Sequence, residues 1–171
     1  MARRFTCVST VAILVWLCLP VAASAQKLVF VVRHAERADS TSGKMQMQTD
    51  PPLSDAGEAR AGKLAAMLAD AGIGAIFVTE YRRTQDTAKP LADKLGLELQ
   101  KIPAADTAAL VRRLHDEHAD DIVFIVGHSN TVPAVIKALG GPDVTIAEGE
   151  YDNLFILVPG TGTISRIRFA P

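Results

Sequence analysis

Lys27-Leu28-Val29-Phe30-Val31-Val32-Arg33-His34-Ala35-Glu36-Arg37 is the stretch whose reading decides the fold. Leu28 to Val32 is an unbroken run of branched and aromatic residues, too short for a buried helix. It reads as a strand covered on both faces. The run feeds directly into Arg33, His34, Glu36 and Arg37. In open α/β sheets ligands bind just outside the carboxyl ends of the strands, so this knot of charge falls where a site belongs. Arginine offers a planar, permanently charged fork of donors, and two of them flanking an imidazole suit a phosphate-sized anion. The competing reading is a solvated loop after a strand. It is reasonable for any one of these residues and much less so for the cluster.

Working outward from that strand, the pattern alternates short apolar runs with helical periodicities. Residues 38–52 are polar and irregular and read as a loop long enough to lie over a site or simply to connect. Ser54 is placed to cap a helix with Ala61, Leu64, Ala65 and Leu68 on one face, closed by Gly72. Gly57 in its first turn costs about 1 kcal/mol relative to alanine, so it is either merely tolerated or marks a close backbone approach. Ala75–Thr79 is a second strand. Thr84, Thr87, Ala88, Leu91 and Leu95 mark a helix ended by Gly96, with a kink expected at Pro90. Leu97–Ile102 alternates like an edge strand, and Asp106 can cap a helix burying Leu110, Val111 and Leu114. Asp121–Val126 is again a continuous apolar strand. Gly127-His128-Ser129-Asn130 follows it, with Asn130 the expected cap of a helix carrying Val132, Val135, Ile136 and Leu139. Pro133 falls in that helix's first turn, where a missing N–H does least harm. Asn153–Val158 and Thr163–Phe169 form an antiparallel hairpin around Pro159-Gly160-Thr161-Gly162. The expected architecture is a three-layer α/β sandwich, a mostly parallel sheet with helices on both faces and a C-terminal antiparallel hairpin.

The first 25 of the 171 residues read as a cleaved export signal rather than as fold. Arg3 and Arg4 form the basic start, Val8–Leu19 the apolar core and Ala23-Ser24-Ala25 the cleavage site. Pro20 and the short apolar run argue against a membrane anchor, which makes the protein periplasmic or secreted. The remaining 146 residues carry 16 basic and 19 acidic side chains, a net charge of −3 and no footprint for nucleic acid. Cys7 and Cys18 both lie in the signal, leaving the domain at 26–171 without disulfide, thiol nucleophile or cysteine metal site.

Three strand ends carry chemistry, Arg33-His34 on the first, Arg82-Arg83 after the second and His128 on the fourth. In a parallel sheet they face the same way and can converge. Two histidines and two or three arginines would clamp phosphate oxygens, with one imidazole placed to attack phosphorus. A metal site fits less well, since the arginines would repel a cation. His115 and His118, one helical turn apart, read more simply as a solvated helix face. A serine-hydrolase elbow at Gly127-His128-Ser129 lacks its second glycine, Thr131 standing there instead.

Arg33-His34-Ala35-Glu36, then Leu53-Ser54 with Gly57, then Thr79-Glu80-Tyr81-Arg82-Arg83-Thr84 with Thr87-Ala88, then Gly127-His128-Ser129-Asn130 resemble the histidine phosphatase (phosphoglycerate mutase-like) superfamily, in its small phosphatase branch. The ordered set spans nearly the whole domain. The resemblance implies a phosphohistidine mechanism without metal or other cofactor, acting on a small phosphorylated substrate. His34 would be the nucleophile, and Arg33, Arg37, Arg83 and His128 would hold the phosphoryl group. Thr87-Ala88 selects Arg83 over Arg82 by the family's spacing. Two departures stand out. Ala35 replaces a common glycine, and the chain after Ala88 is too compact for the acidic, tryptophan-containing insertion that carries the usual proton donor. The expectation is therefore a phosphomonoester hydrolase, with a non-catalytic phosphate-binding module and a phosphomutase as alternatives. Glu36 and Asp106 are the candidate acids.

Overall fold

The computed structural model describes residues 28–38 and 50–170. The expected export signal and most of the expected loop at 38–52 lie outside the described residues. The elements are β1 (Leu28–Arg33), α1 (Asp55–Leu68), β2 (Ile73–Val78), α2 (Arg82–Leu95), β3 (Leu99–Lys101), α3 (Thr107–Glu117), β4 (Ile122–Gly127), α4 (Thr131–Ala138), β5 (Asn153–Val158) and β6 (Thr163–Arg168).

They form one six-stranded sheet of order β3-β2-β4-β1-β5-β6. β1 to β4 run parallel, β5 is antiparallel to β1, and β6 is antiparallel to β5. The expected sandwich and hairpin are both present. Alternate residues of each central strand supply the two cores, as the period of two demands. Val29, Val31, Phe77, Val123 and Ile125 pack with Leu110 and Leu114 of α3 and Val132, Val135 and Ile136 of α4. Phe30, Val32, Ile76, Phe124 and Val126 pack on the other face with Leu64, Ala65 and Leu68 of α1 and Ala88, Leu91 and Ala92 of α2. Among the described residues, no helix is long and apolar enough to cross a membrane.

Local details depart from expectation in three places. α1 stops at Leu68 with Ala69 as its cap, and Gly72 (φ 71°) serves the turn into β2 instead of closing the helix. α2 continues through Pro90 to Leu95, where Gly96 (φ 68°) caps it. Asn130 makes no capping bond; Thr131 supplies the oxygen at that turn, its Oγ1 accepting from His128 N at 2.7 Å. Ser54 and Asp106 do cap their helices, accepting from Gly57 N and Ala109 N.

Gly57 is a close approach. The first turn of α1 is pressed against the backbone just after the His34 segment, with Ser54 N donating to Glu36 O at 2.9 Å. A methyl group on Gly57 would collide with that same carbonyl oxygen. In an open helix, alanine here would gain about 1 kcal/mol over glycine. Gly57→Ala should instead lower the unfolding free energy by about 1–3 kcal/mol in urea denaturation. An unchanged or raised midpoint would show that the contact is slack.

Candidate active site

Backbone pairing builds the centre of the site. β1 and β4 are in a register that sets Arg33 opposite Gly127, and His34 N donates to Gly127 O at 2.8 Å. His34 and His128 therefore leave adjacent strand ends side by side, ring centroids 5.3 Å apart and planes at 66°. Both are buried, at 4% and 7% exposure. Gly127 admits this geometry because a side chain there would run into Thr131 Oγ1, the acceptor for His128 N.

The orientation of His34 assigns its tautomer. Its Nδ1 lies 2.8 Å from Ala35 O, and a carbonyl can only accept, so Nδ1 carries the hydrogen and Nε2 keeps its lone pair. Behind the ring, Ala35 N donates to Thr87 Oγ1 at 2.9 Å, and Thr87 Oγ1 donates to Arg83 O at 2.7 Å. One α2 threonine thus ties the backbone beside His34 to the arginine-bearing turn. The Ala35 methyl is fully buried with Leu53 and Ala61, which accommodates the departure from glycine.

From the end of β2, Tyr81 sets its ring against His128 (5.3 Å, 85°), and Arg83 lies over Tyr81 at 4.3 Å. The Arg83 side chain is 13% exposed and sits 3.6 Å from Asp50 Oδ1. Arg82 points outward at 60% exposure and pairs with Asp86 at 3.1 Å. The structure thus brings Arg83 to the histidines and leaves Arg82 on the helix surface. Asp50 also accepts from Arg82 N through both oxygens, at 3.0 and 2.8 Å, capping α2 where its dipole favours an anion.

Arg33 closes the other side. Its guanidinium lies 4.1 Å over Tyr151, whose ring is 6.0 Å from His34. Arg33 Nη1 donates to the carbonyls of Ala147, Glu148 and Glu150, fixing the 147–150 turn, while the buried Nε has no partner among the described residues. Arg33 and Arg83 with their tyrosines flank the two imidazoles as matching brackets.

Electrostatics follow from burial. Desolvation pushes His34 down to about 3, assisted by the charges of His128, Arg83 and Arg33 and opposed by the bond to Ala35. His128 is pushed down to about 4 by burial, then by Arg83 and Arg33, with the carboxylates of Glu80 and Asp50 pulling the other way. Both ring nitrogens of His128 are buried without a partner among the described residues. Two neutral imidazoles between two cations can receive a tetrahedral oxyanion, with one nitrogen lone pair free to attack its centre.

The other expected site residues are placed differently. Glu36 is a strut. Burial works against its charge, but Arg60 grips both carboxylate oxygens (2.7–3.0 Å) and holds it below the usual carboxylate range. A carboxylate so held is poorly placed to give up a proton, which weighs against its candidacy as the acid. Asp106 is exposed on the α3 side, spending Oδ1 on Ala109 N at 2.8 Å. Arg37 sits half-buried in a bridge with Leu53, and its charge acts on Arg33. His115 and His118 stand away from the strand ends, paired with Asp116 and Asp121. Tyr81 lies within a motif already singled out, but Tyr151 and Asp50 come from loops whose sequence gives no sign of where they return.

The fold thus sets a pair of buried histidines between two arginines at the ends of parallel strands. The sequence model of the histidine phosphatase superfamily (branch 1) matches residues 29–107. A Yersinia enterocolitica protein named probable phosphoglycerate mutase GpmB is 40% identical over 75 residues, 44% of this chain and 35% of its own length. The chain spans less than half the length of curated relatives such as this one. Among solved structures, the protein histidine phosphatase SixA with tungstate superposes with a TM-score of 0.62 at 18% identity, covering 82% of this chain and 94% of that one. A mycobacterial glucosyl-3-phosphoglycerate phosphatase with inorganic phosphate gives 0.61 at 17%, covering 84% and 96%. The sequence match, the curated relatives and the fold all point to the histidine phosphatase superfamily. His128 lies beyond the matched stretch, and the β1–β4 register is what joins it to His34.

The burial of both imidazoles has a measurable consequence. In the unfolded chain they titrate near 6.5 and in the folded one near 3 and 4. The unfolded state therefore binds more protons between these values, and their contribution to stability is full above about 6.5 and lost as pH falls toward 3. Proton NMR should show both rings neutral at pH 6, with midpoints below about 5. Ordinary midpoints near 6.5 would mean that solvent reaches the rings.

Proposed function

We propose that the chain is a phosphomonoester hydrolase working through a phosphohistidine on His34. The observation that carries this is the His34 ring itself, its Nδ1–H donated to Ala35 O, its Nε2 unprotonated, and its charge state held neutral by burial. Nε2 attacks phosphorus as the P–O bond to the leaving alcohol breaks; water then displaces the imidazole and frees phosphate. Arg83 and Arg33 neutralise the phosphoryl oxygens, and His128 offers a ring N–H to one of them. These fixed cations occupy the place a divalent ion would take, and the proposal requires no metal.

The curated relatives' names favour a second reading, a phosphomutase. Against it, α2 passes to β3 through Gly96, Leu97 and Glu98 alone, which leaves no segment there to hold a phosphorylated product for re-attack. We further propose that residues 1–25 direct export and are removed, as their basic, apolar and small-residue segments suggest.

Two measurements check these readings. Purified protein in chelator, given 4-nitrophenyl phosphate and quenched in base, should carry a base-stable phosphohistidine that His34→Ala abolishes. Arg83→Ala should slow its formation by about 10²-fold or more, and Arg82→Ala by no more than a few-fold. Phosphate release that survives in His34→Ala would refute the mechanism. Intact mass of the exported protein should correspond to a chain beginning at Gln26, and a species retaining Met1–Ala25 would refute processing.

A further inference from the structure

If His34 carries the phosphoryl group, the leaving oxygen still needs a proton. Of the two acids suggested by the sequence, Glu36 is held by Arg60 and Asp106 stands exposed at the start of α3. The carboxylates around the site can be sorted by what their oxygens already do. Glu36 is gripped by Arg60. Glu150 is held by Ala147 N, Arg166 and Arg168. Asp50 takes Arg82 N with both oxygens and faces Arg83. Glu148 acts on Arg33. Asp106 holds the start of α3.

Glu80 is different. It stands on the turn between β2 and α2, between buried Thr79 and Tyr81, whose ring abuts His128. Its backbone carbonyl accepts from Gln85 Nε2 at 2.8 Å, which steadies the turn. Its Oε2 accepts from Ala104 N at 2.8 Å, and its Oε1 has no hydrogen-bond partner among the described residues. One oxygen is anchored, and the carboxylate is near enough for its charge to act on His128.

We infer that Glu80 is the acid–base residue of the reaction, an inference that rests on the phosphohistidine reading. In the first step Nε2 of His34 bonds to phosphorus, the P–O bond to the leaving group breaks, and the proton on Glu80 passes to that oxygen. In the second, Glu80 as carboxylate takes a proton from water while the water oxygen bonds to phosphorus. The P–N bond then breaks, phosphate departs, and Glu80 is protonated again. Atoms and charge return to their starting arrangement.

Glu80→Gln tests this selectively, because the amide oxygen can still accept from Ala104 N and only the transferable proton is lost. The probes are substituted phenyl phosphates, from the good leaving group 4-nitrophenol to the poor one 4-methoxyphenol. In the variant, kcat/KM for the 4-methoxyphenyl ester should fall by about 10²-fold or more, and that for the 4-nitrophenyl ester by less than about 5-fold. The plot of log kcat/KM against leaving-group pKa should steepen. Phosphohistidine should also build up after the 4-nitrophenol burst, since its breakdown needs the base. Equal losses for both esters, or parallel plots, would overturn the role of Glu80 while leaving the phosphohistidine mechanism standing. Absence of a His34-dependent phosphohistidine in the unaltered protein would overturn both.

Discussion

Everything at the site hangs on one hydrogen bond and the register it belongs to, His34 N to Gly127 O where β1 meets β4. Successive side chains of a strand point to opposite faces, so a slip of one residue would send His34 away from His128 and turn Arg33 in its place. The apolar alternation of Val29, Phe30, Val31 and Val32 against Val123, Phe124, Ile125 and Val126 forbids that slip, because it would bury each side chain against the wrong helices. Core packing and chemical geometry are thus one constraint. The imidazoles are neighbours because the sheet can be assembled in only one way.

A pocket lined by cations is unfavourable in the absence of an anion, and the surrounding groups reduce that cost. Tyr151 and Tyr81 each present a ring face to a guanidinium, a contact that tolerates partial desolvation. Asp50 sets a carboxylate beside Arg83 and on the free N–H groups of α2. The imidazoles answer by staying neutral. What remains is positive charge with no proton competing for the His34 lone pair, which under the proposed mechanism makes burial serve nucleophilicity as well.

Much of this was legible along the chain. Strand and helix order, the two apolar faces and the convergence of Arg33, His34, Arg83 and His128 follow from periodicity and from the rule that parallel strand ends share one side. Helical spacing and the family's spacing both favour Arg83 over Arg82, and it is Arg83 that lies over Tyr81 beside His128 while Arg82 stays exposed. What escaped lies where neighbours in space are distant in sequence. Glu36 looks like an acid until Arg60, 24 residues later, closes on it. Tyr151 and Asp50 stand in irregular segments, where no period says which way a side chain turns. Asn130 and Thr131 show the limit at a single turn. Either can cap a helix, and only the close approach at Gly127 decides between them.

Arg60 does more than hold Glu36. Its Nη1 donates to Phe169 O at 2.9 Å, across 109 positions, while Arg33 reaches carbonyls 114 to 117 positions away. β1, the first strand described, waits for β4 and β5 before either of its edges is paired. A chain made in order on the ribosome would therefore have His34 long before it had the pocket around it. The apolar run at Leu28–Val32 would spend most of synthesis as an open strand, the kind of segment that chaperones bind and that aggregates when they do not. Late closure makes the last hairpin the event that ends this exposure and sets the surroundings of the histidine pair at once.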